Sequence, residues 1–268
     1  MKWRYYNKFI ITSAKYPHEE IFISKIPWKD YKYALVAQWT SEFDCEEKTQ
    51  YWYCIKDDIF DISKLKAKRR YEINKGNKYF YTKPIDPTEY LDELYQVYLG
   101  SLEGYQNPKI KSKERMNVFF ENIKKTIVKK ECILFGCFKR DNDKLCGYSD
   151  VYIRGQYLPI SSFNCMQKEE KNGVNFALVY GIVNYFQEKI EKGAYLSDGA
   201  RNVLHETNFQ EFLIKYFEFR RAYCILNIKY RGFMALLIKL LYPLRKILRK
   251  GKVGALLKLD GWSRGKDC

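Results

Sequence analysis

Apolar and polar positions along this chain alternate between two periods, and each change of period marks an element. Aromatic and aliphatic residues crowd into short runs at Tyr33–Trp39 and Tyr51–Ile55, separated by the acidic stretch Glu42 to Glu47. That pattern predicts two or three N-terminal strands over residues 1–59, with a hairpin among them. Residues 60–78 begin with Asp61 or Ser63 as helix caps, carry sparse apolar positions at Ile62, Leu65, Tyr71 and Ile73, and reach Gly76, a helix stop. A strand over Tyr79 to Thr82 is expected to break at Pro84. Pro87 opens a second helix that runs to about Leu102, with Tyr90, Leu91, Leu94, Tyr95 and Tyr98 on one face. A third starts at Ser112 and presents Met116, Phe119, Phe120, Ile123 and Ile127.

The second half reads as an antiparallel meander of Cys132–Lys139, Leu145–Ile153 and Tyr157–Met166, with turns at Asn142-Asp143 and Arg154-Gly155. A helix over Gly173–Glu191 follows, closed by Gly193. From Tyr195 a short strand ends in an Asp198-Gly199 turn, where glycine takes a positive φ at little cost. Thr207 or Asn208 caps the next helix, whose face is Phe209, Phe212, Leu213, Tyr216 and Phe217. Tyr223, Ile225, Asn227 and Lys229 then alternate with Cys224, Leu226, Ile228 and Tyr230 as a strand. Residues 232–268 form a basic amphipathic tail. Phe233, Leu236, Leu237, Leu240, Leu241, Leu244, Ile247 and Leu248 make its stripe, Lys239, Arg245, Lys246, Arg249 and Lys250 accompany it, and Pro243 divides it.

The chain has 268 residues, 46% hydrophobic and 30% charged, which excludes a disordered chain and suits one large domain or two small ones. The expected division is residues 1–231, with strands over 1–59 and a core over 60–231, followed by the tail 232–268. Eight cysteines lie scattered with no metal-ligand spacing, so no metal is expected and the thiols read as reduced core residues of a cytoplasmic protein. The apolar run after Lys2-Trp3-Arg4-Tyr5-Tyr6 is too short for a signal peptide. The net charge of +16 is concentrated: residues 229–268 carry a balance of +9 and residues 60–83 a balance of +6.

Asp198-Gly199-Ala200-Arg201, His205-Glu206-Thr207-Asn208 and Phe217-Glu218-Phe219-Arg220-Arg221-Ala222-Tyr223 together resemble the C-terminal half of a GNAT-type acyltransferase. The branch they are similar to is that of the FemAB aminoacyl transferases and related cell-envelope acyltransferases. The resemblance implies an α/β (α+β) fold with a mixed, mostly antiparallel sheet flanked by helices. It also implies transfer of an acyl group, from acetyl-CoA or another acyl-CoA, to an amine or hydroxyl of a surface-polysaccharide or lipid-linked glycan precursor. The donor would lie where two strands splay, with oxyanion donors near Phe163–Met166 and its phosphates on the helix start in Met166–Asn175. The donor-binding positions so implied are Asn164, Met166, Gln167, Lys171, Asn172, Gly173, Asn208 and Tyr216. The loop Gln167-Lys168-Glu169-Glu170-Lys171-Asn172-Gly173 has a single glycine where the family carries Gly-x-Gly.

Asp198, Arg201, His205 and Glu206 form the best polar cluster, and Asp198, Arg201 and His205 are the candidate catalytic residues. His205 reads either as a general base or as a loop residue bonded to Asp198 or capping the helix. Asp198 and Arg201 read either as a structural ion pair or as a carboxylate that aims a guanidinium at a phosphate. Arg69, Arg70 and Lys75 lie on the basic helix, which is either a solvated face or a contact for a donor or acceptor phosphate. The tail, through 232–259, reads as lying on an anionic membrane at the inner face of the cell membrane, as packed on the domain, or as touching RNA. Two other functions stay open: a FemAB-like ligase using aminoacyl-tRNA, and a non-catalytic basic adaptor that binds RNA or membrane.

Overall fold

The computed structural model describes residues 3–13, 15–21, 23, 25–103, 117–121, 123–124, 131–203 and 208–265. Its strands are β1 (Trp3–Asn7), β2 (Ile10–Ser13), β3 (Val36–Ser41), β4 (Tyr51–Lys56), β5 (Phe80–Ile85), β6 (Cys132–Lys139), β7 (Leu145–Tyr152), β8 (Tyr157–Cys165), β9 (Tyr195–Ala200) and β10 (Arg220–Tyr230). The helices are α1 (Ala67–Tyr79), α2 (Leu91–Ser101), α3 (residues 117–121), α4 (Gln167–Glu170), α5 (Val174–Glu191), α6 (Phe209–Phe217), α7 (Met234–Leu241) and α8 (Gly251–Ser263). They fall into two compact units: Met1–Cys54 with Ala200–Asn208 and Arg220–Cys268, and Ile55–Gly199 with Phe209–Phe219.

In the second unit the strand order is β9-β8-β7-β6-β5. The antiparallel meander β6-β7-β8 has the expected turns, with Asp143 and Gly155 at positive φ. Seven of the eight residues of β7 are buried, because helices cover both faces of the sheet. On one side Leu94 and Val97 of α2 and Phe119 of α3 pack on Leu134, Phe138 and Tyr148. On the other, Phe186 of α5 meets Phe135 and Thr82 donates to the Ala177 carbonyl at 2.9 Å.

Pro84 does not break β5, which continues to Ile85 opposite Leu134; β5 is the edge strand of its unit, so the missing N–H is tolerated there. Asp61 caps a 3₁₀ turn, Ile62–Lys64, and α1 begins only at Ala67. Gly76 is not the stop expected of it. It lies buried within α1, where a Cβ would come 2.5 Å from the Gly173 carbonyl oxygen, and α1 runs on to Tyr79. The third expected helix is described at residues 117–121; Ser112, Met116 and Ile127 lie outside the described residues.

In the first unit the order is β1-β2-β3-β10-β4. The β1–β2 hairpin is antiparallel, β2 runs parallel to β3, and β3 is antiparallel to β10. The strand expected at Tyr33–Trp39 begins at Val36, after a turn that holds the exposed Tyr33. One core gathers Trp3, Ile11, Ala34 and Ala37; another gathers Tyr51, Cys224 and Leu226 with Leu259 and Trp262 of α8. Tyr230 donates to Asp260 Oδ1 at 2.7 Å and Arg264 lies 2.7 Å from Asp260 Oδ2, which ties α8 to β10. All seven described cysteines are free thiols, five of them buried.

Candidate active site

The parallel pair β8 and β9 begins together and then parts. Tyr157, Leu158 and Pro159 register with Tyr195, Leu196 and Ser197, and among the described residues no further rung joins the two strands. β8 nevertheless continues to Cys165, held only from its other side by β7. Two local features accompany the parting. Pro159 brings no N–H to the ladder, and Ser161 is an extra residue, since Asp150 pairs with Ser162 while Val151 pairs with Ile160. A bulge of this kind bends its strand and increases the twist, which turns β8 away from its neighbour.

The first turn of α6 reaches both strands of this gap. The Phe209 ring lies 4.4 Å from that of Phe163 on β8, and Gln210, itself buried, hydrogen-bonds the Asp198 carboxylate on β9. Burial pushes the Asp198 carboxyl up to about 7, and the Gln210 amide, which favours the ionised form, offsets only part of that. At the end of β9, Gly199 has φ +84 and donates its N–H to Ser197 Oγ at 3.0 Å. The strand thus kinks at the Asp-Gly pair rather than ending there. The result is a carboxylic acid near neutral pKa beside a pair of parted strands, a pattern typical of groups that move protons.

The other expected residues are distributed as follows. Arg201 donates to the Gln50 carbonyl at 2.8 Å and to Gln50 Oε1 at 3.0 Å, and its guanidinium lies 4.5 Å from the centre of the Trp262 ring. Asp198 and Arg201 fall in different units, and the bonds described for each lie within its own unit. His205, Glu206 and Thr207 lie outside the described residues. Asn208 is exposed ahead of α6. Tyr216 sits in an aromatic cluster, 4.9 Å from Phe176 and 5.5 Å from Phe212. Of the basic residues, Arg70 donates to the Ser63 carbonyl at 3.1 Å, while Arg69 and Lys75 are half-buried on α1.

The loop expected to hold a donor's phosphates is already bonded within itself. The amides of Asn172 and Gly173 donate to the Glu169 and Glu170 carbonyls at 3.0 and 2.9 Å. Asn172 Nδ2 bonds Glu169 Oε2, and Glu169 also lies 3.5 Å from Lys139. Gln167 points to the Ser101 carbonyl, and Lys171 is exposed. The Met166 amide, expected among the oxyanion donors, donates to the Cys146 carbonyl at 2.9 Å, so it is not free for that task. Asn164 faces α2, where Ser101 Oγ bonds its Oδ1 at 3.3 Å and its amide bonds Tyr148. By helix geometry Val174, Asn175 and Phe176 in the first turn of α5 have no intrahelical acceptor, and Gly76 of α1 packs against that turn. A full glycine-rich cradle is not present in these residues. Among the described residues no group of three or more His, Cys, Asp or Glu could hold a metal ion.

Gln210 escaped the sequence reading as a site residue, and Phe163 entered it only as the start of the stretch expected to hold the oxyanion donors. The signal for Gln210 was present: it is an uncharged polar residue inside the apolar run Phe209–Leu213, and such a residue is buried only with a polar partner.

No protein-family model matches this sequence, and no curated protein matches it. Among solved structures the chain is similar to a C-terminal domain assigned to a lysylphosphatidylglycerol synthetase from Agrobacterium fabrum, at 10% identity and a TM-score of 0.50, over 89% of this chain and 82% of that one. It is also similar to L-PGS from Bacillus licheniformis, at 13% identity and 0.46 over 83% and 75%. A third is aminoglycoside 6'-N-acetyltransferase AAC(6')-Ih from Acinetobacter baumannii, at 10% identity and 0.39 over 57% and 99%. At such identities the likeness is one of fold. That fold is a mixed, mostly antiparallel sheet flanked by helices.

Proposed function

We propose that this chain transfers an acyl group from a thioester or ester donor to an amine or hydroxyl. The observation that supports this reading is the parting of β8 from β9 after Pro159 and Ser197, with Asp198 next along β9. An extended donor arm can lie along a strand edge that has lost its neighbour, because the edge offers backbone groups in a fixed row. Asp198 then takes the proton of the attacking acceptor. A base works best when its pKa lies near the working pH, and burial supplies that shift here. Gln210 fixes the orientation of the carboxylate from the first turn of α6. For the donor we propose acetyl-CoA or a related acyl-CoA, and for the acceptor a lipid-linked or surface glycan; the latter follows the resemblance of Asp198-Gly199-Ala200-Arg201 and its neighbours.

One observation favours a second donor. Because the Asn172 and Gly173 amides are engaged, the loop before α5 offers less to a pyrophosphate than a Gly-x-Gly turn would. An aminoacyl-tRNA carries no such group at its reactive end, and the cations of α1 suit its backbone phosphates.

The test is release of free thiol from acetyl-CoA in the presence of amine and hydroxyl acceptors. Turnover that needs an acceptor and falls by roughly 10²–10⁴ in Asp198→Asn supports the assignment. Turnover untouched by that change removes Asp198 from the mechanism.

A further inference from the structure

The last stretch of the first unit carries an apolar face turned the wrong way for a helix that exists only to cover a core. In α7 the only fully buried residue is Ile238, at 2% exposure. Phe233, Leu236, Leu237 and Leu240, one helical face by their spacing, are exposed, Leu236 at 61% and Leu240 at 65%. The chain then continues through Pro243 to Leu244 and Ile247, the latter 80% exposed. Single exposed leucines are ordinary on a protein surface, but six exposed large apolar residues between Phe233 and Ile247 mark a surface that meets another phase or partner.

Charge identifies the partner. Between residues 232 and 259 the chain has seven Lys or Arg and no Asp or Glu. Lys239, Lys246, Arg249 and Lys250 are exposed among the apolar residues, and their long stems let the charged ends rise to a headgroup layer while the leucines sit below. By contrast α8, next along the chain, closes the core around Tyr51, Cys224 and Leu226 with Leu259 and Trp262. Among the described residues no helix is long and apolar enough to cross a membrane.

We propose that the face made by Phe233, Leu236, Leu237, Leu240, Leu244 and Ile247, ringed by Lys239, Lys246, Arg249 and Lys250, docks on an anionic phospholipid surface. It lies parallel to the membrane plane, with the apolar residues at the acyl boundary and the cations at the phosphates. These residues are remote in sequence from Asp198, and the docking stands whether or not the transferase reading does.

The experiment is co-sedimentation of the full chain with vesicles of phosphatidylcholine alone, or with about a third phosphatidylglycerol. The account expects retention on the anionic vesicles that weakens in high salt, with little on the neutral ones. The pair Leu236→Ser and Leu240→Ser, both at exposed positions, should abolish retention while the melting temperature holds. Lys246→Gln with Arg249→Gln and Lys250→Gln should weaken it by roughly fivefold per residue. No retention on anionic vesicles at low salt overturns the proposal, as does retention that ignores the leucine changes. Self-association through the same leucines, or binding of single-stranded RNA in place of vesicles, also overturns it.

Discussion

At the scale of the residue, Asp198 combines a functional asset with a cost to stability. Its carboxyl is raised by burial to about 7, above the ordinary value of an unfolded chain. The folded protein therefore holds the Asp198 proton more tightly than the unfolded one does. The group costs nothing below the ordinary carboxylate range, and its cost grows as pH rises from there through about 7. Asp198→Asn should accordingly stabilise the protein at pH 8, by about 1–3 kcal/mol in urea unfolding, and leave stability near pH 4 almost unchanged. Activity should move the other way. In the wild type the rate rises with pH through about 7 as the base ionises, and the variant should show a flat, low profile. Of these residues the sequence disclosed Asp198, by the Asp-Gly pair at a strand end. It did not disclose the neighbour of Asp198: Gln210 lies twelve positions on, and a spacing rule within one element cannot pair residues of two. The partners of Arg201, Gln50 and Trp262, were hidden for the same reason, since they come from distant segments.

At the scale of the element, periodicity disclosed nearly every strand and helix of the second unit, while the misreadings sit where tertiary contact overrides a local rule. Gly76 reads locally as a stop, yet its role is to let α1 approach Gly173 at the start of α5. Gly173 in turn has φ +88, and a Cβ there would come 2.9 Å from the Gly76 Cα. Gly76→Ala should therefore drive α1 from α5 and lower stability by about 1–3 kcal/mol, read as a drop in melting temperature at constant secondary structure. Pro84 reads as a breaker but sits on an edge strand, where its missing N–H faces no partner. The parting of β8 from β9 was foreseen only through the resemblance; its local marks, Pro159 and the bulge at Ser161, are visible in the sequence but mean nothing until the register is known.

At the scale of the whole molecule, charge and burial divide the C-terminal stretch in two. The amphipathic tail foreseen from the sequence is half realised as an exposed apolar face on α7 and half as a core element, α8. Helical spacing alone cannot tell these apart, because both carry leucines at the same period. Trp262 is 5% exposed among Tyr51, Leu226 and Leu259, so Trp262→Ala should cost about 3–5 kcal/mol and shift the urea midpoint, whereas Ile247→Ala should shift it little. The central claim, that parted strands receive an acyl donor, is tested most directly by donor titration with hydrogen exchange as the readout. The full chain is titrated with acetyl-CoA and, separately, with aminoacyl-tRNA. The account predicts saturable binding of at least one, with backbone amides of residues 160–165 and 197–199 slowed on binding. Absence of binding for both at millimolar thioester and micromolar tRNA, or protection confined to other segments, would contradict it.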